Sequence, residues 1–261
     1  MAEQQEILLV ERDGPVGVMT LNRPDQFNCL SQALHEAIRS AIESFESDGA
    51  IRCILIKASG KHFCTGADLQ EVSGFREDVE AIKKFFQVGL DNLRRLEASP
   101  LPVVMAQQGL ALAGGLELLL SADVVFASES AQLGDQHAQF GLVPGWGGSQ
   151  RLPRLIGRRR AMDLFFTARW IDAREALEWG LVNYVTTEDE LISDALAYCK
   201  ALAERSSAGL ATMKQLVNRG LELNLDAGLQ LECDIAAPAL ASDDVTEGLN
   251  AFREKRKPAF K

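Results

Sequence analysis

The chain has 261 residues, 47% of them hydrophobic, with 27 basic and 37 acidic side chains and a formal net charge of −10. This balance is that of a soluble globular protein and excludes disordered, collagen-like and fibrous classes, and the length suffices for one large domain with an appendage. The negative field repels nucleic acid and anionic membranes, so a polyanionic ligand has to be held by a local cluster of donors.

In chain order, the opening MAEQQEILLV lacks a basic leader followed by an apolar run of about 7–15 residues and predicts no secretion signal. No stretch reaches the roughly 18 apolar residues that span a bilayer. Ile7 to Val10 and Val16 to Leu21 are β-rich runs joined by Asp13-Gly14-Pro15, which predicts a hairpin. Beyond the loop 22–30, Leu34, Ile38, Ala41, Ile42 and Phe45 recur at helical spacing behind Ser31, a helix cap. Ile51 to Ala58 is a nearly continuous apolar strand of the kind buried on both faces, followed by a glycine-containing loop, 59–69. Val79, Ile82, Phe86, Leu90, Leu93 and Leu96 predict a long helix closed by Ser99-Pro100.

Strand Val103 to Ala106, the loop 107–115, a helix from Gly114 through Leu120 and strand Val124 to Ala127 repeat the pattern. Strand, loop, helix, strand is a crossover sequence, so the first two thirds predict an α/β core of right-handed units. After Tyr184 the segments 187–204, 208–222, 226–240 and 244–256 are helical in pattern, which predicts a helical carboxy-terminal subdomain. The five cysteines form no C-x-x-C and the three histidines lack ligand spacing, so reduced thiols in a cytoplasmic compartment and no metal are expected.

Two loops can bring small residues to a place where backbone N–H groups face a ligand. Gly66 and Ala67 directly follow a buried strand, and Gly114 and Gly115 stand at a helix start, where the first amides are unpaired and the dipole favours negative charge. Two converging donors form an oxyanion hole; without it, both loops are tight turns.

The segments Phe63-Cys64-Thr65-Gly66-Ala67-Asp68-Leu69, Ala113-Gly114-Gly115-Leu116-Glu117, 140–152 (FGLVPGWGGSQRL) and 251–256 (AFREKR) resemble the enoyl-CoA hydratase/isomerase, or crotonase, family. The likeness is collinear from Asn22-Arg23-Pro24 to the carboxy terminus. It implies an α/β spiral of ββα units over residues 1–200 and a helical trimerisation subdomain over 201–261. It further implies trimers or dimers of trimers that bind acyl-CoA thioesters, with no tightly bound cofactor and coenzyme A entering as part of the substrate.

Carried over by position, Ala67 and Gly114 match the donors to the thioester oxygen, in agreement with the argument from small residues. Thr65, Gly66, Asp68, Leu69 and Trp146 match the surrounding substrate site, Asp68 as a loop-fixing residue and Trp146 as a pocket wall. Glu117 matches one of two catalytic glutamates; on its own it reads equally as an acidic residue complementing a helix dipole. The second glutamate is replaced by His137. That histidine is open to three functional readings, a substitute acid/base in a hydratase or related lyase, a bystander in an isomerase, or a participant in hydrolysis or another enolate reaction, beside a purely structural one. Asp135, two residues earlier on a chain taken as extended, is expected to face the opposite way. Arg23, Phe252 and Lys255 match contacts to the CoA nucleotide, the last two reaching a neighbouring subunit's ligand.

The expected activity is hydration of a 2-enoyl-CoA, with Δ3-Δ2-enoyl-CoA isomerisation or a catalytically silent acyl-CoA binder as alternatives. Side chains from 70 to 90 are expected to set the acyl pocket. Cys64 has no acid-histidine constellation to make it a nucleophile, and adjacent His62 does not supply one.

Overall fold

The computed structural model describes residues 6–75 and 77–260. β1 (Leu8–Asp13) and β2 (Val16–Leu21) form the predicted hairpin, with Asp13 opposite Val16 and only Gly14 and Pro15 between them. Gly14 takes φ 59, which the Asp-Gly turn requires. α1 (Gln32–Ser47) starts where Ser31 accepts the Leu34 N–H, and it turns Leu34, Ile38, Ala41, Ile42 and Phe45 inward.

The chain continues through β3 (Cys53–Ala58), α2 (Leu69–Phe75), α3 (Val79–Ala98), β4 (Val103–Gln107), β5 (Leu110–Leu112), α4 (Gly114–Leu119), β6 (Val124–Ser128) and β7 (Gln132–Gly134). A 3-10 turn, His137–Phe140, leads to α5 (Gly148–Ile156), α6 (Arg158–Thr167), β8 (Ile171–Asp172), α7 (Ala173–Glu178) and β9 (Tyr184–Thr186). The last four helices are α8 (Leu191–Ala203), α9 (Ser207–Gly220), α10 (Leu225–Ala239) and α11 (Asp243–Glu254).

Six strands form one sheet in the order β1-β2-β3-β4-β6-β9, parallel except for the first hairpin. A second sheet, β5-β7-β8, is built from strands of two or three residues. The successive parallel strands fit the expected crossover units. Strands this short have no readable two-residue period, so sequence pattern alone does not announce β5, β7, β8 or β9.

β3 is buried on both faces, as its continuous apolar run predicts. Cys53 and Leu55 pack with Val16, Val18 and Val104 against Leu191, Ala195 and Cys199 of α8. Ile54 and Ile56 face the larger core shared with α1 and α3. Each such aliphatic side chain contributes about 1.5–3 kcal/mol by leaving water. In α3 the buried residues are Phe85, Gly89, Asn92, Leu93 and Leu96, so Phe86 and Leu90 lie off the inward face that the sequence spacing assigns them. The loop after β3 ends one residue early, because Leu69 already begins α2.

Residue 200 falls within α8, which lies on the large sheet. α9 and α10 pack against each other, and Lys214 ties α9 to the core through Leu96 O at 3.1 Å, Leu101 O at 3.2 Å and Asp123 Oδ2 at 2.7 Å. No helix among the described residues is long and apolar enough to cross a membrane.

α4 is pressed against the loop that follows β3. A Cβ on Gly115 would stand 2.1 Å from the Cys64 carbonyl oxygen, a backbone atom with little room to yield. Gly115→Ala is therefore expected to lower unfolding free energy by about 1–3 kcal/mol. Gly74→Ala in α2, with nothing within 4 Å, should change it by less than about 1 kcal/mol. Chemical denaturation of the two variants checks this contrast, and equal stability would refute it.

Candidate active site

The loop 59–68 runs along the start of the small sheet. Leu112 donates to Cys64 O at 3.0 Å, and Cys64 donates to Leu110 O at 3.1 Å. On the other side, Leu30 donates to Gly66 O at 2.7 Å and accepts from Asp68 N at 3.0 Å. That is a parallel bridge to Ala67, in which the flanking residues carry the bonds and the Ala67 N–H points away from Leu30. The Ala67 amide has no acceptor among the described residues.

The second amide arrives from α4. Gly114 is its first residue, so its N–H has no partner within the helix and finds none among the described residues. Ala113 sets its direction with φ 48 and ψ −118, a conformation that alanine adopts only at a cost of about 1–3 kcal/mol. Ala113 is held there at both ends, donating to Gly134 O and accepting from Glu117 N, each at 3.0 Å. Gly66, at φ 109, lets the two segments meet, because a Cβ on it would lie 3.1 Å from Gly114 N and 3.2 Å from Ala113 Cβ.

One turn into α4, Glu117 is buried to 2% exposure. Its Oε1 accepts two backbone N–H groups, from Trp146 at 2.8 Å and Gly148 at 2.7 Å. Its Oε2 lies 3.9 Å from His137 Nε2. Burial pushes the Glu117 carboxyl above the ordinary glutamate value, against the pull of the two amides and of His137.

The imidazole of His137 is held from behind. Its Nδ1 is 2.9 Å from Asp135 Oδ2, and its backbone N–H donates to Asp135 Oδ1 at 3.2 Å. This overturns the expectation that Asp135 faces away. The chain is not extended there, because beyond Gly134 it turns at once into the 3-10 helix, which folds His137 back onto the carboxylate. Burial pulls the His137 pKa down, but the hydrogen bond and charge of Asp135, with the charge of Glu117, outweigh it and leave the ring above its ordinary value.

These groups open into one cavity of about 630 Å3, within the usual range for small-molecule sites. Ala67, Gly114, Glu117 and His137 lie on its wall, as do Thr65, Asp68, Leu69, Trp146 and Arg23. Gly66 is behind the wall and acts through its contact with Gly114. Val72, Phe85 and Phe86 bring the 70–90 region to the apolar side, joined by Leu142 and Val143. Phe252 (83% exposed) and Lys255 are at the end of α11, not on this wall.

At the polar end, Arg23 Nη2 meets Asp68 Oδ2 at 2.8 Å and Nη1 donates to Cys29 O at 2.6 Å. Asp68 Oδ1 also accepts from Gln70 N at 3.0 Å, so this side chain does fix its loop. Cys64 is wholly buried, which pushes its thiol up to about 12, the reverse of what a nucleophile needs. His62 Nδ1 accepts from Leu110 N at 3.2 Å and serves the backbone corner. No group of three or more His, Cys, Asp or Glu suited to a metal occurs among the described residues.

Three contributors escape the sequence reading. The Trp146 and Gly148 amides carry no side-chain signature, and the family resemblance marks Pro144 to Arg151 only as a structural turn into a helix. Asp135 does leave a signal, since an aspartate accepting the N–H two residues on is ordinary turn chemistry.

The profile of the enoyl-CoA hydratase/isomerase family matches residues 11–261, and the chain belongs to that family. The "Probable enoyl-CoA hydratase" of Rhizobium meliloti (strain 1021) is 39% identical over 256 residues, spanning 98% of both chains. A "Short-chain-enoyl-CoA hydratase" of Clostridium acetobutylicum is 35% identical over 251 residues, covering 96% of this chain and 95% of its own. The crystal structure of an enoyl-CoA hydratase from Bacillus anthracis superposes with a TM-score of 0.94 at 35% identity, covering 98% of this chain and 99% of that one. The α/β architecture described above is thus the crotonase fold with its carboxy-terminal helical region.

The Arg23–Asp68 pair offers a direct test of the polar end. Burial works to raise the Asp68 pKa, but the hydrogen bond and charge of Arg23 and the following amides hold it below the ordinary value. The pairing therefore stabilises the fold above the unfolded carboxylate range, and that stability fades as pH falls through the lowered native value. Arg23→Ala should raise the Asp68 titration midpoint, followed by carbon-detected NMR; an unmoved midpoint would show that Arg23 is not its partner.

Proposed function

We propose that the protein is an enoyl-CoA hydratase that adds water across the conjugated double bond of a 2-enoyl-CoA, or removes it from the 3-hydroxyacyl-CoA. The observation that carries this reading is the pair of proton-transfer groups, Glu117 Oε2 and His137 Nε2, 3.9 Å apart in the cavity that also receives the unspent amides of Ala67 and Gly114.

The thioester oxygen accepts from the Ala67 and Gly114 N–H groups. When a nucleophile adds at C3, negative charge moves onto that oxygen, and each donor of this type lowers the barrier by about 2.7–4 kcal/mol. Glu117, fixed through Oε1, uses Oε2 to take a proton from the attacking water while His137 delivers one to C2. Reversing both transfers gives dehydration. An isomerase moves one proton between C2 and C4 with a single base, which leaves His137 and its carboxylate partner without a task. Retention of Glu117 argues against a silent binder. Water addition is redox-neutral and calls for no cofactor beyond the coenzyme A of the substrate.

On the same reading the nucleotide of CoA lies toward Arg23 and is completed by Phe252 and Lys255 of a neighbouring copy, in a trimer or a dimer of trimers. Exposed apolar side chains on α9 to α11, among them Val217, Leu221, Leu225 and Phe252, support such assembly. Free cysteines suit a cytoplasmic location.

Loss of the enoyl-thioester absorbance with a panel of 2-enoyl-CoA esters is the direct assay. Glu117→Gln should keep the fold and reduce kcat by about 10²–10⁴. Turnover of 3-enoyl-CoA but not 2-enoyl-CoA esters would replace the hydratase reading by the isomerase one. The pH profile of kcat should be bell-shaped, with the acid limb above the ordinary glutamate range and the alkaline limb above the ordinary imidazole value. These limbs belong to the coupled pair rather than to either group alone. Light scattering should give the mass of three or six chains, and a monomer would overturn the assembly.

A further inference from the structure

Hydration as proposed above needs one group ready to accept a proton and another ready to give one. Two carboxylates sharing a proton satisfy this with a net charge of −1. Glu117 beside a lone neutral imidazole keeps that charge but has no proton to deliver. Beside a lone imidazolium it has the proton but loses the charge. A second carboxylate behind the ring restores both, since two carboxylates and one imidazolium carry −1 with a proton on nitrogen.

Asp135 occupies that place. It is buried to 2% exposure and engages His137 with both oxygens, Oδ2 at 2.9 Å from Nδ1 and Oδ1 at 3.2 Å from the backbone nitrogen. An ionised carboxylate only accepts, so Nδ1 carries a hydrogen and Nε2 is the nitrogen left toward Glu117. The preceding residue, Gly134, accepts the Ala113 N–H at 3.0 Å, so one short strand end holds both the dyad and the residue that aims the Gly114 amide. Glu117 of α4 is the other carboxylate bearing on the ring. α6, packed on the same 3-10 turn, carries Asp163, which Arg169 occupies at 2.7 Å.

We propose that Asp135 is a positioning residue that fixes His137 with Nδ1 as donor and keeps the ring cationic, so that Nε2–H faces Glu117 as the proton donor to substrate carbon. The proposal rests on the hydratase reading. Asp135 itself touches no reacting atom.

The test compares Asp135→Asn, His137→Ala and the double variant in the intact protein, with Glu117→Gln as reference. Asp135→Asn should lower kcat by about 10- to 100-fold, with KM changed by less than about twofold. Its alkaline limb should move to lower pH, because the charge that holds the proton on the ring is gone. In the His137→Ala background it should add nothing, as required of a residue acting through that histidine. Nitrogen-15 NMR of His137 in the unaltered protein should find Nδ1 protonated. Wild-type kcat and limb in Asp135→Asn, while Glu117→Gln is inactive, would overturn the role of Asp135 and leave the hydratase reading standing. An equal further loss in the His137→Ala background would also overturn it by reducing Asp135 to a structural part. If Glu117→Gln stays active, the hydratase reading itself falls. If Asp135→Asn does not fold, the NMR tautomer decides, and an unprotonated Nδ1 overturns the proposal.

Discussion

Two backbone segments from different parts of the chain come into contact with their hydrogen-bond donors unspent, and most of the site follows from that constraint. An unpaired amide is ordinarily a defect, since a buried donor without a partner costs about 1–3 kcal/mol. The fold tolerates two at one cavity by fixing their neighbours. Leu30 takes the bonds on either side of Ala67, and Gly134 and Glu117 take those of Ala113. Side chains are minimal where the segments meet: a Cβ on Gly114 would stand 2.5 Å from the Trp146 ring and 3.2 Å from Gly66 Cα. The strained φ of Ala113 belongs to the same economy, because rotating that residue toward an ordinary conformation would turn the Gly114 N–H away.

Burying Glu117 creates the opposite problem, an acceptor short of donors. A carboxylate taken from water without partners costs several kcal/mol and tends to protonate. The turn before α5 answers with two amides on one oxygen, which stabilise the anion and stop the side chain from rotating. The other oxygen is left to the cavity. One carboxylate is thus divided between an anchored oxygen and one that faces His137, and burial raises its proton affinity above that of an ordinary glutamate.

How much of this could be read in advance depended on whether the information lay in side chains or in main-chain direction. α1 and α3 are long and periodic, and β3 is a continuous apolar run, so their existence is written in residue type. The meeting of Ala67 with Gly114 is half legible: small residues after a strand and at a helix start point to donors, but not to their convergence. The short strands of the second sheet carry too few residues for any period. The Trp146 and Gly148 amides have no signature at all, since any residue supplies an N–H. Asp135 is misread for a different reason. Alternation of side chains holds only while a strand lasts, and β7 ends at Gly134, one residue before it matters.

The electrostatics of the cavity also bear on assembly. Arg23 is the one arginine among the described residues of the wall, and no lysine joins it there, whereas Asp25, Asp68 and Glu117 are all present. Arg23 is moreover paired with Asp68 at 2.8 Å, so at long range the two cancel and only directed hydrogen bonds remain. A polyphosphate cannot be drawn to such a wall by its own field, least of all in a chain of net charge −10. In the assembly proposed above, the exposed end of α11 of a second copy, with Lys255 as the cation and Phe252 beside it, would add positive charge that the wall itself does not carry. In that trimer or dimer of trimers, oligomerisation would be part of ligand binding, because the wall that receives the reacting carbon carries little charge to hold the far end of the same molecule.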